Sequence, residues 1–273
     1  MNRDLTDILK DWPYEPGQLN VRIIEGLDGE PRLQLRLDLG VLQMTTHGRP
    51  DGKRPHGFES LLDYHESRLD GAIQSPPEEG PETDVAGGED LDPEITLSNE
   101  ECRELREEAA QYYHRYVALF VLDDFEGVVR DTTRNLRVLD MCSAYAEDDD
   151  DREALEPVRP YITMMRSRAL AGRQIAAGEP KSAVLCIDDG IQTLKDYFDE
   201  RDDEAGFERC EEVNLLKAMR DQLVPKLPVS QKAELRARMR DAISAENYEL
   251  AAILRDELRQ MGDSTRGGDT PRG

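Results

Sequence analysis

The stretch SNEECRELREEAAQYYHRYVALFV, residues 98–121, sets the reading of the whole chain. Ser98 is a helix N-cap and Glu101, three residues on, completes a capping box, so a helix starts here on a defined signal. Tyr113, Tyr116, Val117, Phe120 and Val121 recur at helical spacing and give it an apolar face. The same periodicity predicts long helices over 99–121, 124–145, 152–177, 180–200 and 206–223. Pro157 and Pro160 fall near the start of the third, where proline is tolerated but a kink is possible. Four adjacent acids at 148–151 lack the glycine of a calcium loop. They read instead as a solvated turn whose charge favours the next helix N-terminus.

The turns between these helices share a pattern. Asp124-Phe125-Glu126-Gly127-Val128-Val129 stands between two long helices, Glu179-Pro180-Lys181-Ser182-Ala183-Val184 between two more, and Asn247-Tyr248-Glu249-Leu250-Ala251-Ala252 follows near the C-terminus. The first two resemble the inter-helix turn of tetratricopeptide-type hairpins, and Leu170 and Gly178 also fit the second. The separations of 55 and 68 residues exceed a tetratricopeptide period, so related helical hairpins are expected and not a regular array.

Residues 1–74 read differently. Leu5, Ile8 and Leu9 suggest a short amphipathic helix ended by Trp12-Pro13. Val21 and Ile23, then Leu33, Leu35, Leu37 and Leu39 beyond an Asp28-Gly29 turn, alternate with polar residues as in a half-buried antiparallel hairpin. Val41-Leu42-Gln43-Met44 extends it as a bend or third strand. Residues 58–69 read as a helix with Leu61, Leu62, His65 and Leu69 on one face. The fold class expected is therefore α+β, mainly α. The expected parts are a small α+β unit (1–74), an acidic Pro/Gly-rich disordered linker (75–97), a helical region (98–228), a C-terminal helical hairpin (229–261) and a disordered tail (262–273).

The chain has 273 residues, 34 % of them charged and 38 % hydrophobic, with a net charge of −24. Residues 231–261 hold six basic and six acidic side chains and the tail two of each, so the excess negative charge lies before residue 231. Such a surface repels phosphate backbones, and direct nucleic-acid binding by the body is not expected. The longest apolar run, residues 117–122, is too short for a membrane span. The N-terminus carries early acids and no long apolar core, unlike a signal peptide, and a cytoplasmic location follows as the expectation. Cys102, Cys142, Cys186 and Cys210 form no CxxC pair and read as small hydrophobes on helices.

One basic loop interrupts the acidic body: Gly48-Arg49-Pro50-Asp51-Gly52-Lys53-Arg54-Pro55-His56-Gly57. Arg49, Lys53 and Arg54 are candidate anion-binding residues; turn geometry alone also accounts for the glycines and prolines. His47, His56 and His65 are evenly spaced, but across three different local structures, which is not ligand geometry, and no metal site is expected. P-loop, dinucleotide, nucleophile-elbow and HExxH signatures are absent. No catalytic residue and no cofactor are assigned, and the expectation is a non-enzymatic protein. A small-ligand or metal-dependent enzyme using the basic loop is the alternative, which a pocket lined by Arg49, Lys53 and Arg54 would favour.

The C-terminal stretch QKAELRARMRDAISAENYELAAILRDELRQM, residues 231–261, carries the functional signal. Leu235, Met239, Ala242 and Ile243 form one helical stripe; Asn247 can cap a second helix, striped by Leu250, Leu254, Leu258 and Met261. Ala251-Ala252 permits close helix approach. Two helices this short are marginal alone and must pack on something. The stretch resembles the UVR motif of the B and C subunits of the bacterial excision-repair nuclease: Leu235, Met239 and Ala242 sit at its first-helix apolar positions, Asn247-Tyr248-Glu249 stands where it usually has Asp-Phe-Glu, and Ala251-Ala252, Arg255-Asp256 and Leu258 follow. The resemblance implies a docking element whose partner-binding residues are Met239, Tyr248, Glu249, Ala252, Arg255, Asp256 and Leu258. It implies as partner a repair nuclease or helicase subunit or a Clp-type unfoldase; a self-associating structural protein whose hairpins pair between copies is a further alternative.

Overall fold

In the computed structural model the described residues are 5–74, 96–223 and, near the C-terminus, 239, 240 and 244. The expected linker lies almost wholly outside them, as do the tail and most of the C-terminal hairpin. The chain divides into two compact units, Met1–Leu223 and Val224–Gly273.

The first unit begins with helix α1 (Thr6–Asp11) and an antiparallel sheet of β1 (Asn20–Glu25), β2 (Pro31–Arg36) and β3 (Val41–Thr45), in that order. Gly29, at φ +82°, allows the turn between β1 and β2. The register sets Ile23 opposite Leu33 and Leu33 opposite Met44, which places the apolar side chains on one face. On the other face the facing residues Arg22, Gln34 and Gln43 form a hydrogen-bonded ladder, 2.8 Å and 2.9 Å. The alternation breaks earlier than the leucines suggest. β2 stops at Arg36, and Leu37 and Leu39 are exposed in a tight turn closed by mutual backbone bonds between Leu37 and Gly40.

The helices are α2 (Leu61–Gln74), α3 (Asn99–Val121), α4 (Phe125–Tyr145), α5 (Asp149–Glu153), α6 (Arg159–Ala176), α7 (Pro180–Asp199), α8 (Glu204–Arg209) and α9 (Glu211–Leu223). The chain is thus mainly α with a small N-terminal sheet. α2 starts at Leu61 and not at 58, because the Ser60 hydroxyl accepts the Asp63 N–H (3.1 Å) and caps it. α3 opens on the predicted box: the Ser98 N–H donates to Glu101 Oε2 (2.9 Å) while the Ser98 hydroxyl accepts from the Glu101 N–H. The helix expected from 152 is in fact two. Pro157 has no N–H to give a residue four back, so α5 ends at Glu153, Glu156–Val158 form a 3-10 turn and α6 starts at Arg159. The acids at 148–151 fall largely within α5. The helix expected over 206–223 is likewise broken, at Cys210, whose backbone is extended.

α3 packs on α4, α4 on α6 and α6 on α7, while α9 lies on both α6 and α7. One turn recurs. Asp123, Gly178 and Asp202 each take a left-handed conformation. The next residue, Asp124, Glu179 or Asp203, donates its N–H back five residues, to Leu119, Gln174 and Phe198. This is the Schellman closure of a helix end. Asp124 and Asp203 then cap the following helix through the N–H groups of Gly127 and Gly206. The sequence pattern captured the first two of these turns and missed the third. Gly172 and Gly190 permit close approach: a Cβ at either would meet the Phe125 ring at 2.8 Å or the Ser167 Cβ at 2.6 Å.

Two buried clusters form the interior. One joins Leu33, Leu35 and Met44 of the sheet to Tyr116, Leu119, Val128, Met164, Ile187 and Leu216. The other joins Leu61 and Leu62 to Leu97, Cys102, Leu105, Val138 and Cys142. The face of α3 is rotated from the one expected: Leu105, Tyr112, Tyr116 and Leu119 are buried, whereas Tyr113 and Val121 are more than 40 % exposed.

Candidate functional site

The basic loop sits over helices α3 and α4, held there by charged side chains that these helices bury. Arg115, on α3, is fully buried. Its Nε and Nη2 donate to both oxygens of the buried Asp131 carboxylate on α4, at 2.6 Å and 2.8 Å. Its remaining Nη1 donates to the carbonyls of Thr45 (3.2 Å) and Gly48 (2.7 Å). Arg130 donates to Asp131 and to the Thr46 carbonyl, 3.0 Å away. The end of β3 and the start of the loop are therefore held by two guanidinium groups that share the Asp131 carboxylate.

Two helical turns back along α3 from Arg115 stands a second buried carboxylate, Glu108. It accepts the Leu61 N–H with both oxygens (3.1 Å and 3.0 Å), placing negative charge at the N-terminus of α2. Arg134 of α4 donates to it, and the Arg49 Nε lies 3.1 Å from its other oxygen. Arg115 and Arg134 both lie against the ring of Tyr112. Burial pushes the Arg134 guanidinium down to about 9, still well above neutral pH, so it remains charged. Burial pushes the Tyr112 phenol up to about 12, leaving it neutral.

The candidate anion residues are brought together. Arg49, Lys53 and Arg54 line one cleft of about 280 Å³ with Thr45, His47 and Glu59. Each faces a carboxylate: Arg49 has Glu108 and Asp51, Arg54 has Glu59 at 2.7 Å, and the exposed Lys53 has Asp51 at 3.9 Å. The histidines disperse. His47 meets the Thr46 hydroxyl, His56 stacks on Tyr64 with ring centroids 4.1 Å apart, and His65 is buried beside Arg68. Burial lowers the His65 pKa, so it is neutral near pH 7. Among the described residues no group of three or more His, Cys, Asp and Glu is placed to hold a metal ion. Cys102 and Cys142 meet inside the helical core, and burial raises both thiols, Cys142 to about 12.

Glu108, Arg115, Asp131 and Arg134 were not singled out in the sequence. The available signal was their place within apolar stripes, Leu105–Glu108–Tyr112–Arg115–Leu119 on α3 and Val128–Asp131–Arg134–Val138 on α4.

In the second unit, Met239 is helical and half-buried, and Arg240 and Ser244 are helical and exposed. Tyr248, Glu249, Ala252, Arg255, Asp256 and Leu258 lie outside the described residues. A family comparison bears directly on this unit. Residues 230–263 match the UVR family, the UvrB/uvrC motif. Comparison with curated proteins and with solved structures found no match. The UVR motif thus covers the C-terminal unit, and no family assignment extends over the helical body. No helix among the described residues is long and apolar enough to cross a membrane.

Proposed function

We propose that this chain is a non-enzymatic interaction protein, an adaptor whose acidic helical body carries a C-terminal UVR hairpin for docking to another protein. The match of residues 230–263 to the UVR motif carries this reading. The motif suggests a UvrB/UvrC-like interaction element, and its stripes of Leu, Met and Ala suit a partner helix better than a reaction. The partner classes are a subunit of the excision-repair machinery or a Clp-type unfoldase, with pairing between copies as a third. The excess of negative charge before residue 231 disfavours nucleic acid as the direct target, and a cytoplasmic protein partner fits best.

Within the hairpin, Tyr248 and Arg255 are the side chains with hot-spot chemistry. Met239, Glu249, Ala252, Asp256 and Leu258 would frame them. The test is a pull-down comparing the intact protein with one lacking residues 231–273, read by mass spectrometry. Partners should vanish with the truncation, and Tyr248→Ala in the full chain should weaken capture by about 2 kcal/mol or more. Retention of every partner by the truncated protein would sink the adaptor reading.

One observation favours a second reading, a small anionic ligand at the basic loop: Arg49, Lys53 and Arg54 do line a common cleft. Its cations already face carboxylates, so an incoming anion would have to displace Glu59 or Asp51.

A further inference from the structure

A separate cleft of about 450 Å³ opens between α3, α4 and the segment leading into α6. Its walls are almost wholly apolar, from Ala109, Leu139, Leu155, Val158 and Ile162. Three tyrosines converge on it, with Tyr113 edge-on to Tyr116 at 5.5 Å between centroids and tilted against Tyr161 at 6.2 Å. Tyr116 is only 1 % exposed. No hydrogen bond joins its hydroxyl to a described residue, and the oxygen itself is not sealed from solvent.

Two polar side chains at the margin are committed elsewhere. The Asn135 amide donates to the Ala109 carbonyl at 2.9 Å, and Arg106 is paired with Asp151 at 2.5 Å. Among the described residues the cleft thus has apolar volume, aromatic walls and tyrosine hydroxyls without a hydrogen bond, and its one charged lining residue, Arg106, is paired. We infer that it is a binding site for a neutral small molecule of one or two rings that carries a single hydrogen-bonding group for Tyr116. The volume lies in the range of small-molecule pockets, which are mostly apolar with a few oriented polar groups. A charged ligand would lose its hydration with no counter-charge to meet it. Burial, with the nearby Tyr161 and Tyr113 phenols adding to it, raises the Tyr116 pKa, so its hydroxyl is protonated and can both donate and accept.

The lining residues named all belong to the first unit, and the site is tested on the full-length protein with 2-naphthol as probe. Saturation-transfer NMR and calorimetry should give saturable binding with a dissociation constant below about 1 mM. Ala110 is exposed and lines the mouth, so Ala110→Trp should plug it without disturbing the core and abolish binding. Tyr116→Phe keeps the ring and should weaken binding about two- to tenfold. Absence of saturable binding to the wild type, or binding unchanged in Ala110→Trp, overturns the assignment. So does a wild-type dimer that Ala110→Trp dissociates, since a second copy would then be the occupant.

Discussion

Arg115 and Asp131 are both fully buried, and each is the other's main partner. Removing Arg115 leaves the buried Asp131 carboxylate with only the partly exposed Arg130 as partner, and breaking a buried pair is where such effects are largest. Arg115→Leu should therefore destabilise the protein by about 3–5 kcal/mol in urea unfolding. It should also release the carbonyls of Thr45 and Gly48, so that residues 48–54 are cleaved faster in limited proteolysis. An equally stable variant with an unchanged cleavage pattern would show that the pair does not hold the loop. The physical reason these residues escaped a sequence reading is that a charged residue within an apolar stripe looks the same whether it ends in solvent or under a loop. Only the loop's placement over α3 and α4 distinguishes them.

At the level of elements, the helix starts and stops were the most legible features. Ser98 with Glu101, and Asp124 after Phe120, act within one turn of chain and so express themselves in local sequence. The breaks at 154–158 and Cys210 were less so. Pro157 signalled the first; nothing local signalled the second. The seam between α6 and α7 is set by Gly190, where an added Cβ would stand 2.6 Å from the Ser167 Cβ. Gly190→Ala gains helix propensity of about 1 kcal/mol, but the overlap at a buried, hydrogen-bonded serine is the larger effect. A net loss of about 1–2 kcal/mol is expected from thermal or urea denaturation. The added Cβ would meet the Ser167 Oγ as well as its Cβ, so Ser167→Ala should restore part of that loss in the double variant and Ser167→Gly more. No rescue by either would mean that the contact is not the cause.

Across the whole molecule, the two regions on either side of residues 75–95 are joined by more than the chain. Leu33, Leu35 and Met44 share a core with α3, α4, α6 and α7, and Leu61 and Leu62 share another with α3 and α4. Ion pairs Arg68–Glu101 and Arg137–Glu66 and the Glu108 cap on α2 add polar ties across the same boundary. Limited proteolysis should cut first within residues 75–92, a stretch rich in Pro, Gly and acids. The nicked fragments should still co-elute on gel filtration. Fragments that separate while each remains folded by circular dichroism would contradict this packing.

The sequence by itself determined the mainly helical class, the N-terminal strands, the capped start of α3 and the UVR motif at the C-terminus, because each is written in periodicity or in residues close along the chain. The burial of Arg115, Asp131, Glu108 and Arg134, the meeting of Cys102 with Cys142 and the tyrosine-lined cleft were decided only by tertiary structure. They unite residues up to seventy positions apart in the chain, and whether a side chain is buried depends on what the rest of the chain lays over it.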